Sequence, residues 1–107
     1  MSWVNTMCEV KDAQRYEQLA KLQESQHNTV EAHVSYLEAA SIYVLQASLQ
    51  KNNKLVAKAN TCYRKAQQVV GKISSRQLSI HELAQRVLKE LHTKNERDML
   101  STLYKVI

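Results

Sequence analysis

"NTVEAHVSYLEAASIYVLQASLQKNN", residues 28–53, decides the fold of this chain. Its apolar residues recur at the helical period, yet they cover most of the helix circumference. At about 100° per residue, Ala32, Tyr36, Ala39, Ala40, Tyr43 and Ala47 lie along one side. Val30, Val34, Leu37, Val44 and Leu45 lie along another, with Ser41 and Ser48 between them. The polar seam of Glu31, Ser35, Glu38 and Gln46 is narrow and is interrupted by Ile42. A surface helix normally keeps a broad polar face. Two apolar flanks therefore predict a central helix between two neighbours, with the alanines admitting one of them closely.

The neighbours are legible on both sides. Trp3, Met7, Val10, Ala13, Tyr16, Leu19, Ala20 and Leu22 predict a first helix from about Thr6 to Ser25. After "ESQHN", Asn28 and Glu31 have capping-box spacing and open the central helix, which runs to about Gln50. "KNN" breaks it, and Asn53 is the expected cap of a third helix, Lys54–Val70, stopped by Gly71 in a left-handed C-cap. Its core stripe is Leu55, Ala59, Cys62, Ala66, Val69 and Ile73. Val56, Tyr63 and Val70 form a shoulder that either a fourth helix or a partner helix would cover. "KISSRQL" reads as a linker. Ser79 and Glu82 make a second capping box, opening helix 4 to about His92 on the face Ile80, Leu83, Ala84, Val87, Leu88, Leu91. Asn95 caps an expected short helix 5 with Met99, Leu100, Leu103 and Tyr104.

The composition agrees. The 107 residues include no Pro, no Phe and one Gly, which favours long helices with short connections. The fold class expected is all-α: an antiparallel three-helix bundle extended by one or two C-terminal helices. It forms a single domain over 1–107, with a core at 6–73 and an extension at 79–107. "MSWVNTMCEV" has no basic stretch followed by an apolar one, so no signal peptide is expected. No apolar run approaches the roughly 20 residues of a membrane span. Cys8 and Cys62 are too few and too far apart for a disulfide framework or zinc knuckle, and read as buried thiols of a cytoplasmic protein. The net charge of +5 and pI near 9.3 favour acidic partners, whether peptide, phosphate or lipid headgroup, and are compatible with peripheral membrane association.

Catalytic chemistry has little to stand on, and no cofactor is expected. One glycine cannot build a phosphate-cradling loop. "HELAQ" at His81 lacks the second histidine of a zincin. His81 and His92 stand roughly 16 Å apart along a helix, too far to share a metal. His27 and His33 flank a helix start and read as solvent-exposed. Glu31 and Glu38 lie on the polar seam without an apolar pocket to raise a pKa. The fifteen basic residues are spread over all helices, with no aromatic stacking platform, so nucleic acid is not the expected partner.

From Tyr16 to Val70 the chain resembles the microtubule-interacting-and-trafficking (MIT) domain. The matching residues are Glu31 and Ala32, Tyr36, then Tyr43, Val44, Leu45 and Ala47, the break "KNNK", and "CYRKAQQV" from Cys62 to Val69. The "YVL" group sits one residue later than in the family, Lys65, Ala66 and Gln67 replace its Arg, Ala and Glu, and helices 4 and 5 lie outside its core. The resemblance implies a three-helix bundle similar to a tetratricopeptide pair. It also implies a non-catalytic module that binds short tails of ESCRT filament subunits in the cytoplasm or at endosomes. One mode lays an amphipathic, acidic helix between helices 2 and 3. Carried over, that groove would use Val34, Leu37, Ser41, Val44 and Leu45 with Val56 and Tyr63, while Lys58 and Lys65 pair with acidic residues of the ligand. A weaker resemblance joins "WVNTMCEV" and "EAHVSYLEAASIYV" to the helical lobe of dedicator-of-cytokinesis (DOCK) exchange regions. The alternative is a closed scaffold or oligomerisation domain of a larger signalling protein, in which helices 4 and 5 fold back over the groove.

Overall fold

A computed structural model describes residues 9–72 and 77–91. Four helices and no strand occur among them: α1 Val10–Ser25, α2 Thr29–Gln50, α3 Asn53–Val69 and α4 Ile80–Leu91. The chain is all-α. The expected contributions of Trp3, Met7, Cys8, Ile73 and His92, and the whole of helix 5, lie outside the described residues.

Local chemistry sets the helix ends. Glu9 is the N-cap, its N–H donating to the Asp12 carboxylate (3.1 Å), and α1 starts at Val10; the expected start at Thr6 lies outside the described residues. Asn28 is the N-cap of α2, but its side chain caps nothing; its amide turns back to Gln26. Asn52, not Asn53, caps α3, accepting from the Lys54 N–H at 2.9 Å. Gly71 takes φ +77°, and the Lys72 N–H reaches the Gln67 carbonyl at 2.7 Å, the Schellman closure expected there. At α4, Ser79 Oγ accepts from the Glu82 N–H at 3.2 Å, as the capping-box spacing predicts.

α2 is the axle of the fold. From Ser35 to Leu45 every residue except Glu38 is buried. Three neighbours cover it, not two. α1 lies antiparallel on one side, with Ser35 donating to Gln23 (2.6 Å) and Tyr36 to Glu24. The Ser35 contact falls on the polar seam and the Tyr36 contact beside it, so α1 covers that side of α2, where Ile42 is fully buried. α3 runs antiparallel on another side, and His33 Nδ1 donates to the Ala66 carbonyl at 2.8 Å. α4 takes the third side, running antiparallel to α2 and alongside α3.

Two packing details depart from the sequence expectation. Only Ala13 and Ala20 of α1 are buried, while Leu19 and Leu22 are exposed. The small residues let α1 approach α2, Val10 and Tyr16 pack half-buried against the core, and Glu17, Gln23 and Glu24 bond across to the other helices. α4 is no appendage to a three-helix core: Leu83, Ala84, Val87, Leu88 and Leu91 join one continuous core with α2 and α3. Each of those leucines contributes roughly 1.5–3 kcal/mol of transfer free energy.

Candidate functional site

The side of α3 that faces α4 carries Val56, Asn60, Tyr63 and Gln67, one residue per turn of helix. Asn60 is buried and bonds Leu78 in both directions: its amide donates to the Leu78 carbonyl (3.0 Å) and its oxygen accepts the Leu78 N–H (2.9 Å). That pair fixes the chain just before α4 begins. Two turns on, Gln67 donates to Glu90 of α4 at 2.9 Å. The other Glu90 oxygen lies 3.4 Å from His33 Nε2 on α2. The buried Tyr63 hydroxyl faces Arg86 and Glu90.

Glu90 is thus a polar hub joining α2, α3 and α4. Burial opposes its charge, but bonds from His33, Gln67 and Tyr63 outweigh this and hold its pKa below the ordinary carboxylate value. His33 responds in the opposite sense. The bond to Glu90 raises its pKa, burial lowers it, the Ala66 carbonyl raises it again, and the balance is upward. Both ring nitrogens face acceptors, which suits the doubly protonated ring. His33 is therefore a half-buried junction residue and not the solvent-exposed side chain that its position near a helix start suggests.

The nine residues expected to bind a partner separate into three groups. Leu37, Ser41, Val44, Leu45 and Tyr63 are buried inside the chain. Val34 and Val56 are half-buried against the core. Lys58 and Lys65 stand elsewhere: Lys58 Nζ lies over the Tyr43 ring at 5.7 Å, and both cations flank Cys62, whose thiol donates to Glu17 of α1. They occupy the α1 side of α3, across the helix from Tyr63 and the α4 side. The structure brings the apolar members of the set into or against the one core shared by α2, α3 and α4, and sets the two lysines apart on the α1 side.

An open cleft of about 330 Å³ remains where the groove begins, lined by Ala47, Ser48, Lys51, Asn52, Val56, Ile80 and His81 among others. Among the described residues, no group of three His, Cys, Asp or Glu side chains could hold a metal ion. No described helix is long and apolar enough to cross a membrane. No protein-family model, curated protein or solved structure matches this chain. The MIT and DOCK resemblances therefore rest on the quoted residues alone.

Sequence reasoning missed Asn60, Gln67, His33 and Glu90. A signal for the first two was present: polar residues inserted in the Val56–Val70 shoulder, at positions a peptide's apolar face would not tolerate.

Proposed function

We propose that this chain is a non-catalytic helical scaffold, closed on itself by α4, which presents its outer faces to other molecules. One observation carries this reading. The groove between α2 and α3, which an amphipathic partner helix would enter, holds α4 instead, anchored by Asn60 at one end and Glu90 at the other. The interaction is a helix in a groove, with the helix supplied by the same chain. A reducing, cytoplasmic setting suits the unpaired Cys62.

The open cleft beside Val56 and Ile80 favours a second reading. A partner helix would enter there and displace α4. An acidic, amphipathic tail of the kind implied by the MIT resemblance would act this way, with endosome attachment following from its partner.

Two-dimensional NMR of the full chain, titrated with an acidic amphipathic peptide, separates them. The scaffold reading expects no saturable shifts at Val34, Leu37, Val44 or Tyr63. Saturable shifts there, accompanied by release of the α4 resonances, would replace it with the displacement reading.

A further inference from the structure

The basic charge of this chain is concentrated. Six of its fifteen basic residues lie between Lys51 and Lys72, a stretch with no Asp or Glu; the rest of the chain carries nine basic and ten acidic residues. The net positive charge therefore belongs to α3 and its two ends. Lys54, Lys58 and Lys65 fall on one stripe of α3, along the edge of its outward face next to α1 and spanning roughly 16 Å at 1.5 Å per residue; Lys54 and Lys58 are exposed and Lys65 is half-buried. Arg64 borders that stripe. None of the six forms an ion pair among the described residues. Glu17 of α1, which also neighbours Cys62, accepts from the Cys62 thiol.

The residues between these cations are small or polar: Ala57, Thr61 and Gln68, all exposed. The large apolar side chains exposed among the described residues are Leu19, Leu22, Val30 and Leu49, and none is on α3. A protein or peptide partner would need buried apolar or aromatic anchors at the centre of its contact. A single-stranded nucleic acid would need exposed aromatic platforms. This face offers neither. It offers a row of cationic groups, with the Lys58 ammonium resting 5.7 Å from the Tyr43 ring centroid, and that row complements a diffuse anionic plane. From these observations we propose that the outward face of α3 docks the folded domain on membranes rich in anionic phospholipid, by headgroup contact without insertion.

Each lysine or arginine held close to an anionic bilayer raises partitioning about fivefold, within a screening length of about 8 Å at physiological salt. The test is co-sedimentation of the full chain with phosphatidylcholine vesicles, with and without about 30 mol% phosphatidylserine, at about 0.15 M salt. Binding is expected to the phosphatidylserine vesicles alone. The triple variant Lys54→Glu, Lys58→Glu, Lys65→Glu should lose at least about tenfold in partitioning. An equal charge change elsewhere, Lys11→Glu, Arg15→Glu, Lys89→Glu, should lose markedly less. Circular dichroism checks each fold; if the first triple unfolds, the corresponding glutamines carry the test, with a loss of about fivefold or more. Absence of phosphatidylserine-dependent binding overturns the proposal. Equal losses from both triples overturn it too, because net charge alone would then explain the binding. A lower Kd for polyglutamate or a duplex oligonucleotide at the same salt would assign the face to that polymer instead.

Discussion

Glu90 Oε1 of α4 lies 3.4 Å from His33 Nε2 of α2, and that contact ties the last turn of α4 to the first turns of α2. The side chains are 17% and 24% exposed, respectively, so the pair is shielded without being cut off from water. Its polar partners, Ala66 and Gln67, both come from α3, so one cluster registers three helices.

The pair makes stability depend on pH. The pKa of His33 is raised above its reference of 6.5, so its contribution is complete below about that pH and fades as the pH rises through the folded value. The pKa of Glu90 is lowered from 4.5, so its contribution is complete above that pH and fades as the pH falls through the folded value. Lys72, Arg86 and the Tyr63 hydroxyl are the other titratable groups facing the pair. Thermal melts of the wild type should therefore show Tm falling as the pH rises from about 6.5 through the raised pKa of His33. His33→Gln should flatten that slope. An unchanged slope in the variant would mean that another group carries it.

Asn60→Ala should cost about 2–3 kcal/mol, because it leaves the N–H and carbonyl of buried Leu78 without their partner. Urea unfolding measures this. Thr61→Ala, which loses only an exposed bond to the Ala57 carbonyl, should stay within about 0.5 kcal/mol.

The helix assignments were legible because they follow from period and punctuation: Gly71 and the Ser79–Glu82 box acted as the pattern predicts, and the all-round apolar α2 is central, though with three neighbours instead of two. The packing partners were less so. In α1 the leucines dominate any apolar count, yet Ala13 and Ala20 enter the core because small side chains allow a close approach to α2. The helical period alone could not rank the two faces. His33 and Glu90 stand far apart in sequence, and nothing in their spacing announces a contact. Tyr63 and Lys65 are two residues apart on α3 and so point to different sides; grouping them in one groove overlooked that geometry.

Two tyrosines on one face of α2 should respond oppositely to loss of their hydroxyls. Tyr36 donates to Glu24, so Tyr36→Phe should destabilise by about 1 kcal/mol. The buried Tyr43 hydroxyl has no hydrogen-bond partner among the described residues. Burial and the nearby Glu17 and Cys62 hold it in its neutral form. Tyr43→Phe should therefore be neutral or stabilise by up to about 1 kcal/mol. Denaturant midpoints of the two variants, moving in the same direction, would contradict this assignment.

Two left-handed helix ends provide a backbone test. Gly71 has φ +77° with open space around it, so Gly71→Ala meets no clash and loses only the conformational preference, about 1 kcal/mol. Lys51 adopts φ +51° at the end of α2, and Lys51→Gly should stabilise by about 0.5–1 kcal/mol. Chemical denaturation should show opposite shifts.

The central claim is that α4 belongs to the core and does not act as a lid. Native-state hydrogen exchange of the full chain tests it most directly. The backbone amides of Val87 and Leu88 should be protected to within about tenfold of Ser41–Leu45 in α2, opening only when the whole domain unfolds. Exchange in α4 more than about a hundredfold faster, with α2 and α3 still protected, would show that the groove opens on its own and would contradict the account.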